Sequence, residues 1–161
     1  MRLSGGGRWL QSQTHSEGTI MNLAELFRSD VVTVSPDDSI AKAACEMQKK
    51  NVGAVVVVRD RAVVGILTDR DVALALAVRG STTATPVGEV MTRDVVTIWE
   101  DQGVFNATQY MQGHQVRRLP VINRDNELVG IVTLDDLVAL LASELRNVTS
   151  AITPVLSEKS F

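Results

Sequence analysis

The feature that most constrains this chain is that it repeats itself. Asp30-Val31-Val32-Thr33-Val34 returns as Asp94-Val95-Val96-Thr97-Ile98, and Gly65-Ile66-Leu67-Thr68-Asp69-Arg70-Asp71 returns as Gly130-Ile131-Val132-Thr133-Leu134-Asp135-Asp136. The first pair is offset by 64 positions and the second by 65, so one residue was inserted between them. A single folding unit was duplicated. Each copy is only about 60 residues, marginal on its own, so the halves are expected to share one core.

The element pattern repeats with the residues. In the first copy a lead-in around Leu23 to Phe27 precedes a strand over 31–34, and Ser35-Pro36-Asp37-Asp38 carries helix-start chemistry. A helix over 39–50 then buries Ile40, Ala43, Ala44 and Met47, with Cys45 near the same face. Two β-branched runs, 54–58 and 62–67, are joined by Arg59-Asp60-Arg61 as a hairpin, and a helix over 69–79 closes at Gly80. The order is β-α-β-β-α. The second copy retraces it with a lead-in 87–91, strand 95–98, helix 103–114, hairpin 119–132 and helix 134–145, the inserted residue falling in the turn Asn123-Arg124-Asp125-Asn126. The chain divides into an extension without regular structure over 1–21 (Met21 being a candidate start), repeat one over 22–80, a linker over 81–86, repeat two over 87–145 and a flexible tail over 146–161.

Composition narrows the classes of function. A net charge of −3 lacks the basic stripe that a protein working mainly on nucleic acid requires. No stretch approaches the roughly 18 apolar residues of a membrane span, and the start lacks the apolar segment of a secretory signal. One cysteine, Cys45, allows no internal disulfide, which fits a reducing cytoplasm, and it reads as a structural thiol. Val72 to Val78 is apolar all round and Leu137 to Leu141 nearly so. A module this small cannot enclose both helices, so a two-fold homodimer is expected.

No nucleophile with a base, phosphate-cradling loop or metal-ligand motif is present, and neither His15 nor His114 has a visible partner, so an enzyme is not expected. What recurs is Thr-x-x-Asp between a strand and a helix, as Thr68 with Asp71 and Thr133 with Asp136. The pattern is a capping box. It also places an ionised carboxylate, an acceptor only, where it can take hydrogen bonds from the vicinal hydroxyls of a ribose, and both roles can hold together. A second feature is asymmetric: Arg117 and Arg118 stand where repeat one has Gly53 and Ala54. They are either solvated edge charges or a planar, permanently charged grip for phosphate oxygens.

These residues resemble a known family. The duplicated unit, the lead-in Val87-Gly88-Glu89-Val90-Met91-Thr92 and the paired Gly-Ile-Leu-Thr-Asp-Arg-Asp and Gly-Ile-Val-Thr-Leu-Asp-Asp segments look like a tandem pair of cystathionine-β-synthase (CBS) domains, the Bateman module, over about residues 22–145. The resemblance implies an α+β fold of two repeats about a pseudo-two-fold axis, with two clefts that bind adenine nucleotides. Carried over, Thr68 and Asp71 would work with Val116, Arg117, Arg118 and Leu119 in one cleft, and Thr133 and Asp136 with Val52, Gly53, Ala54 and Val55 in the other. Thr97 and Thr33 would line the base pockets, and Arg70 would reach a phosphate that Asp135 at the matching position would repel. The arginine pair makes the first cleft the better expected phosphate site and ranks AMP, ADP or ATP above cationic S-adenosyl ligands. The implied function is regulatory: a nucleotide sensor, with no cofactor required, acting on an unidentified partner protein. The alternative is a dimeric interaction module indifferent to nucleotide.

Overall fold

The computed structural model of the chain describes Leu23 and residues 26–157, so the expectation for 1–21 lies outside the described residues. Repeat one contains β1 (Thr33–Val34), α1 (Ile40–Lys50), β2 (Ala54–Arg59), β3 (Ala62–Thr68) and α2 (Asp69–Ala77). A short helix α3 (Val87–Val90) opens repeat two, followed by β4 (Ile98–Trp99), α4 (Val104–His114), β5 (Arg118–Ile122), β6 (Leu128–Thr133) and α5 (Leu134–Ser157). This is the expected α+β order.

Each repeat builds a three-stranded sheet, β1-β2-β3 and β4-β5-β6, in which the first pair is parallel and the second antiparallel. The duplication survives in the register: the ladder slips between Val57 and Val58 in one hairpin and between Val121 and Ile122 in the other. The first hairpin turns on Asp60 and Arg61, whose φ angles of 51° and 67° give a tight left-handed turn. In the longer second turn the Asn123 side chain accepts amide bonds from Asp125 and Glu127. The two tips meet, because the Leu128 amide donates to the Arg61 carbonyl and Arg61 pairs with Glu127 at 3.0 Å.

α1 starts at the Ser39 cap and ends at Asn51 in the left-handed conformation. Its first amides are satisfied from outside the repeat: Ile40 donates to the Thr85 carbonyl and Ala41 to that of Thr83. The linker is therefore pinned across the helix start.

The core differs from a single shared one. One buried cluster joins Val34, Ile40, Ala43, Met47, Val55, Val57, Leu67 and Ala75 of repeat one to Val87, Val90 and Met91 from the lead-in of repeat two. The other joins Ile98, Ala107, Met111, Leu119, Val121, Val132 and Leu137 to Leu23, with Leu26 and Phe27 packed against it. Each lead-in thus crosses to the other repeat. Two glycines make room for the crossing. A Cβ at Gly130 would fall on the Phe27 ring, and one at Gly65 would meet the Met91 sulfur and, at 3.2 Å, the Thr92 carbonyl. Beside these seats the backbone of Arg28 bridges to Ile131 and that of Thr92 to Ile66, each by a reciprocal pair of hydrogen bonds at 3.0–3.1 Å.

Several local expectations change. The first strands are two residues long; Val31 and Val32 line a cavity, and although the Val32 carbonyl accepts the Val56 amide the strand starts only at Thr33. In repeat two, Pro120 has no amide to match the bond that Val56 donates to the Val32 carbonyl. α2 stops at Ala77 instead of reaching residue 79. Cys45 is exposed: it lies two positions from buried Ala43, about 200° around the helix. α5 continues past residue 145, so the segment read as a tail is helical to Ser157. Helix α2 buries Ala75 but leaves Leu74 and Leu76 exposed, as is Val78 just past its end.

The glycine seats can be tested directly. Gly130→Ala forces the rigid Phe27 ring out of place and is expected to cost about 1–3 kcal/mol in urea unfolding. Gly65→Ala meets the end of a flexible methionine and is expected to cost less.

Candidate functional site

The two Thr-x-x-Asp boxes form as the sequence suggests. Thr68 ends β3 and caps α2: its hydroxyl accepts the Asp71 amide at 3.2 Å, while Asp71 Oδ2 accepts from the Thr68 amide at 3.0 Å and hydroxyl at 2.7 Å. Thr133 and Asp136 repeat this at 3.2, 3.0 and 2.6 Å. Each box contributes about 0.5–2 kcal/mol to its helix start and fixes one carboxylate rotamer.

The second carboxylate oxygens differ. Asp71 Oδ1 accepts no hydrogen bond from any described residue. Asp136 Oδ1 accepts two from Arg28, from Nε at 3.1 Å and Nη2 at 2.7 Å. Burial alone would push the Asp136 carboxyl up, but the Thr133 hydroxyl and the Arg28 guanidinium outweigh it and hold it below the ordinary carboxylate range.

A cavity of about 310 Å³ lies against the second box. Repeat one supplies Val31, Val32, Val52, Gly53 and Ala54 to its wall, and repeat two supplies Ile131, Thr133 and Asp135. Three cations, Arg28, Lys50 and Arg118, border it against Asp30 and Asp135. Lys50 is 3.6 Å from Asp30, whereas Arg118 has no ion pair among the described residues. Apolar walls with a few convergent charges are the usual build of a small-molecule site.

The expected residues divide as follows. Thr133, Val52, Gly53 and Ala54 line the same cavity, with Asp136 tied to Arg28 beside it. Arg118, assigned to the other cleft, borders this cavity too. It sits opposite Thr133 in the β5–β6 ladder, and its Nη2 is 3.4 Å from the point where Gly53 would carry a Cβ. Arg117 is exposed and 3.4 Å from Asp135, a surface pair of little energetic weight. The side chains of Val55 and Leu119 are wholly buried in the two cores, and Val116 packs against the second. Arg70 and Thr33 are exposed and Thr97 is half-buried. Sequence reasoning missed Arg28, Asp30, Val31, Val32, Lys50, Asn51 and Ile131 as cavity residues, and named Asp135 only as a charge that would repel phosphate. Arg28 had a signal, since position 64 residues on is Thr92, a departure from the repeat. Among the described residues no cluster of three or more His, Cys, Asp or Glu could hold a metal ion.

The CBS domain family model matches residues 23–78 and again 87–143. The CBS domain-containing protein YhcV of Bacillus subtilis is 42% identical over 116 residues, spanning 72% of this chain and 82% of YhcV. The CBS domain pair of protein MJ0100, in complex with 5'-methylthioadenosine and S-adenosyl-L-methionine, superposes with a TM-score of 0.71 at 29% identity, covering 78% of this chain and 98% of that one. CBS domain protein PAE2072 from Pyrobaculum aerophilum, complexed with AMP, gives 0.67 at 25% identity, covering 73% and 90%.

The Arg28–Asp136 pair has a consequence in acid. Because the Asp136 carboxyl titrates below its unfolded value of about 3.9, the pair stabilises the fold above that pH and is lost as pH falls through the depressed value. Arg28→Thr should therefore lower the urea midpoint at pH 7 and have a smaller effect at pH 2.5. An equal drop at both would assign the loss to packing instead.

Proposed function

The chain belongs to the CBS domain family as a tandem pair, and from that premise we propose that it is a regulatory module that binds an adenine nucleotide between its repeats. The observation that carries this reading is the free second oxygen of Asp71: its rotamer is fixed by Thr68, and the remaining oxygen faces no competing donor among the described residues. A ribose diol supplies the donors such an acceptor lacks. The cavity at the second box supports the same ligand class, since Val31, Val32, Val52 and Ala54 offer apolar walls for a base. Arg28, Lys50 and Arg118 favour phosphate oxygens over a sulfonium cation. AMP, ADP or ATP therefore ranks above S-adenosyl ligands, although relatives of both kinds exist.

The ligand would act through the apolar helices, which offer a surface for a second copy. Leu74 and Leu76 on α2, Val78 just beyond it, and Val138, Leu141, Leu145 and Val148 on α5 are exposed in the single chain. On α5 the exposed residues recur at alternating steps of three and four, the seam along which two helices pair. A nucleotide that binds two arrangements of such a dimer unequally shifts the balance between them, and with it the activity of a partner protein. No helix among the described residues is long and apolar enough to cross a membrane. The same exposed faces favour the second reading, an interaction module whose boxes are only caps, since both boxes are complete without ligand.

Calorimetric titration of AMP, ADP and ATP separates the readings. Wild type is expected to bind, and Asp71→Ala to weaken binding about 10- to 100-fold, the worth of hydrogen bonds to a charged group. Absence of binding at millimolar nucleotide would leave the interaction module. Sedimentation should find a dimer, and Val138→Glu with Leu145→Glu should shift it to monomer. An unchanged sedimentation coefficient would rule out the α5 surface.

A further inference from the structure

The two boxes are copies in sequence and in capping geometry, yet only one carries a guanidinium. Arg28 is brought to Asp136 by the exchange of lead-ins: its backbone pairs with Ile131 of β6, five residues before Asp136 in the chain. Both of its donors fall on Oδ1, the oxygen that Thr133 leaves open. The Asp136 side chain is thereby left only 10% exposed, while that of Arg28 is 68% exposed and borders the cavity in its place. The equivalent backbone bridge in the other half joins Thr92 to Ile66, and a threonine there is too short to span to Asp71.

We infer that Arg28 is a latch on the second cleft, occupying the carboxylate oxygen a ribose would need, so that the two clefts take adenine nucleotide with unequal affinity. This rests on the nucleotide reading given above. A ribose entering the second cleft must displace two bonds from a charged guanidinium and replace them with bonds from neutral hydroxyls, whereas at Asp71 it displaces no side chain among the described residues. The exchange is less costly for a phosphorylated ligand. Arg28 reaches the cavity from an exposed position, so a phosphate can replace Asp136 as its anion, and adenosine brings no such replacement. The latch therefore makes the second cleft both weaker and more selective for phosphate than the first.

The repeat itself supplies the test, because the latch can be removed and transplanted by exchanging residues at equivalent positions. In an Asp71→Ala background, where the second cleft is read alone, Arg28→Thr should tighten adenosine binding about tenfold and AMP binding by less. In the wild-type background Thr92→Arg should weaken AMP at the first cleft by a similar factor. Thermal melts of each variant establish that it is folded, and the threonine or arginine backbone keeps the bridge to β6 or β3. If wild type binds AMP but Arg28→Thr leaves the second cleft's affinity for both ligands unchanged, the latch is refuted while the nucleotide reading stands. If neither wild type nor any variant binds, the nucleotide reading falls and the latch with it.

Discussion

Everything in this molecule depends on the exchange of two short lead-ins across the pseudo-two-fold axis. Phe27 lies on Gly130 and Met91 on Gly65, equivalent side chains over equivalent glycines. Without the glycines the lead-ins could not approach the strands, and without the lead-ins each buried cluster would lack part of its wall. Neither repeat is a separable domain. The arrangement also places the backbone of one half along the sheet edge of the other, which both closes that edge and delivers residue 28 to the second box.

Function follows from how far the symmetry holds. Backbone-level features are kept in both halves: the ladder slip, the left-handed ends of α1 and α4 at Asn51 and Gln115, the bridges and the amide that starts α2 or α5 by donating to the carbonyl of Gly53 or Arg117. Side-chain features are where the halves diverge. Arg118 replaces Ala54, and Arg28 replaces the counterpart of Thr92. The scaffold thus supplies two equivalent places for a ligand, and a few charges decide how each is used.

The sequence made the repeat, the element order and the Thr-x-x-Asp boxes legible because these depend on local pattern, on strand alternation, capping chemistry and turn residues. It did not reveal the crossing of the lead-ins, since a short, mostly apolar segment reads the same whichever half it packs against. Arg117 and Arg118 drew attention as an adjacent pair, but their roles separate once the strand pleat turns one toward Asp135 and the other toward Gly53. Arg28 was overlooked for the opposite reason. It lies 108 positions from its partner, and no spacing rule connects the two. The length of α5 escaped because residues 146–150 are polar apart from Val148 and carry no buried face to extend the pattern.

The segment between the repeats has the look of a tether. Ser81-Thr82-Thr83-Ala84-Thr85-Pro86 is polar, small and exposed over most of its length, the composition at which proteases usually nick a chain. Yet the carbonyls of Thr83 and Thr85 hold the first amides of α1, and the Thr85 hydroxyl accepts the Thr82 amide. A protease needs extended, yielding backbone, and this stretch could yield it only by unwinding a helix start. The apparent tether is thus a structural member, so any relative motion of the two halves must pivot elsewhere in the module.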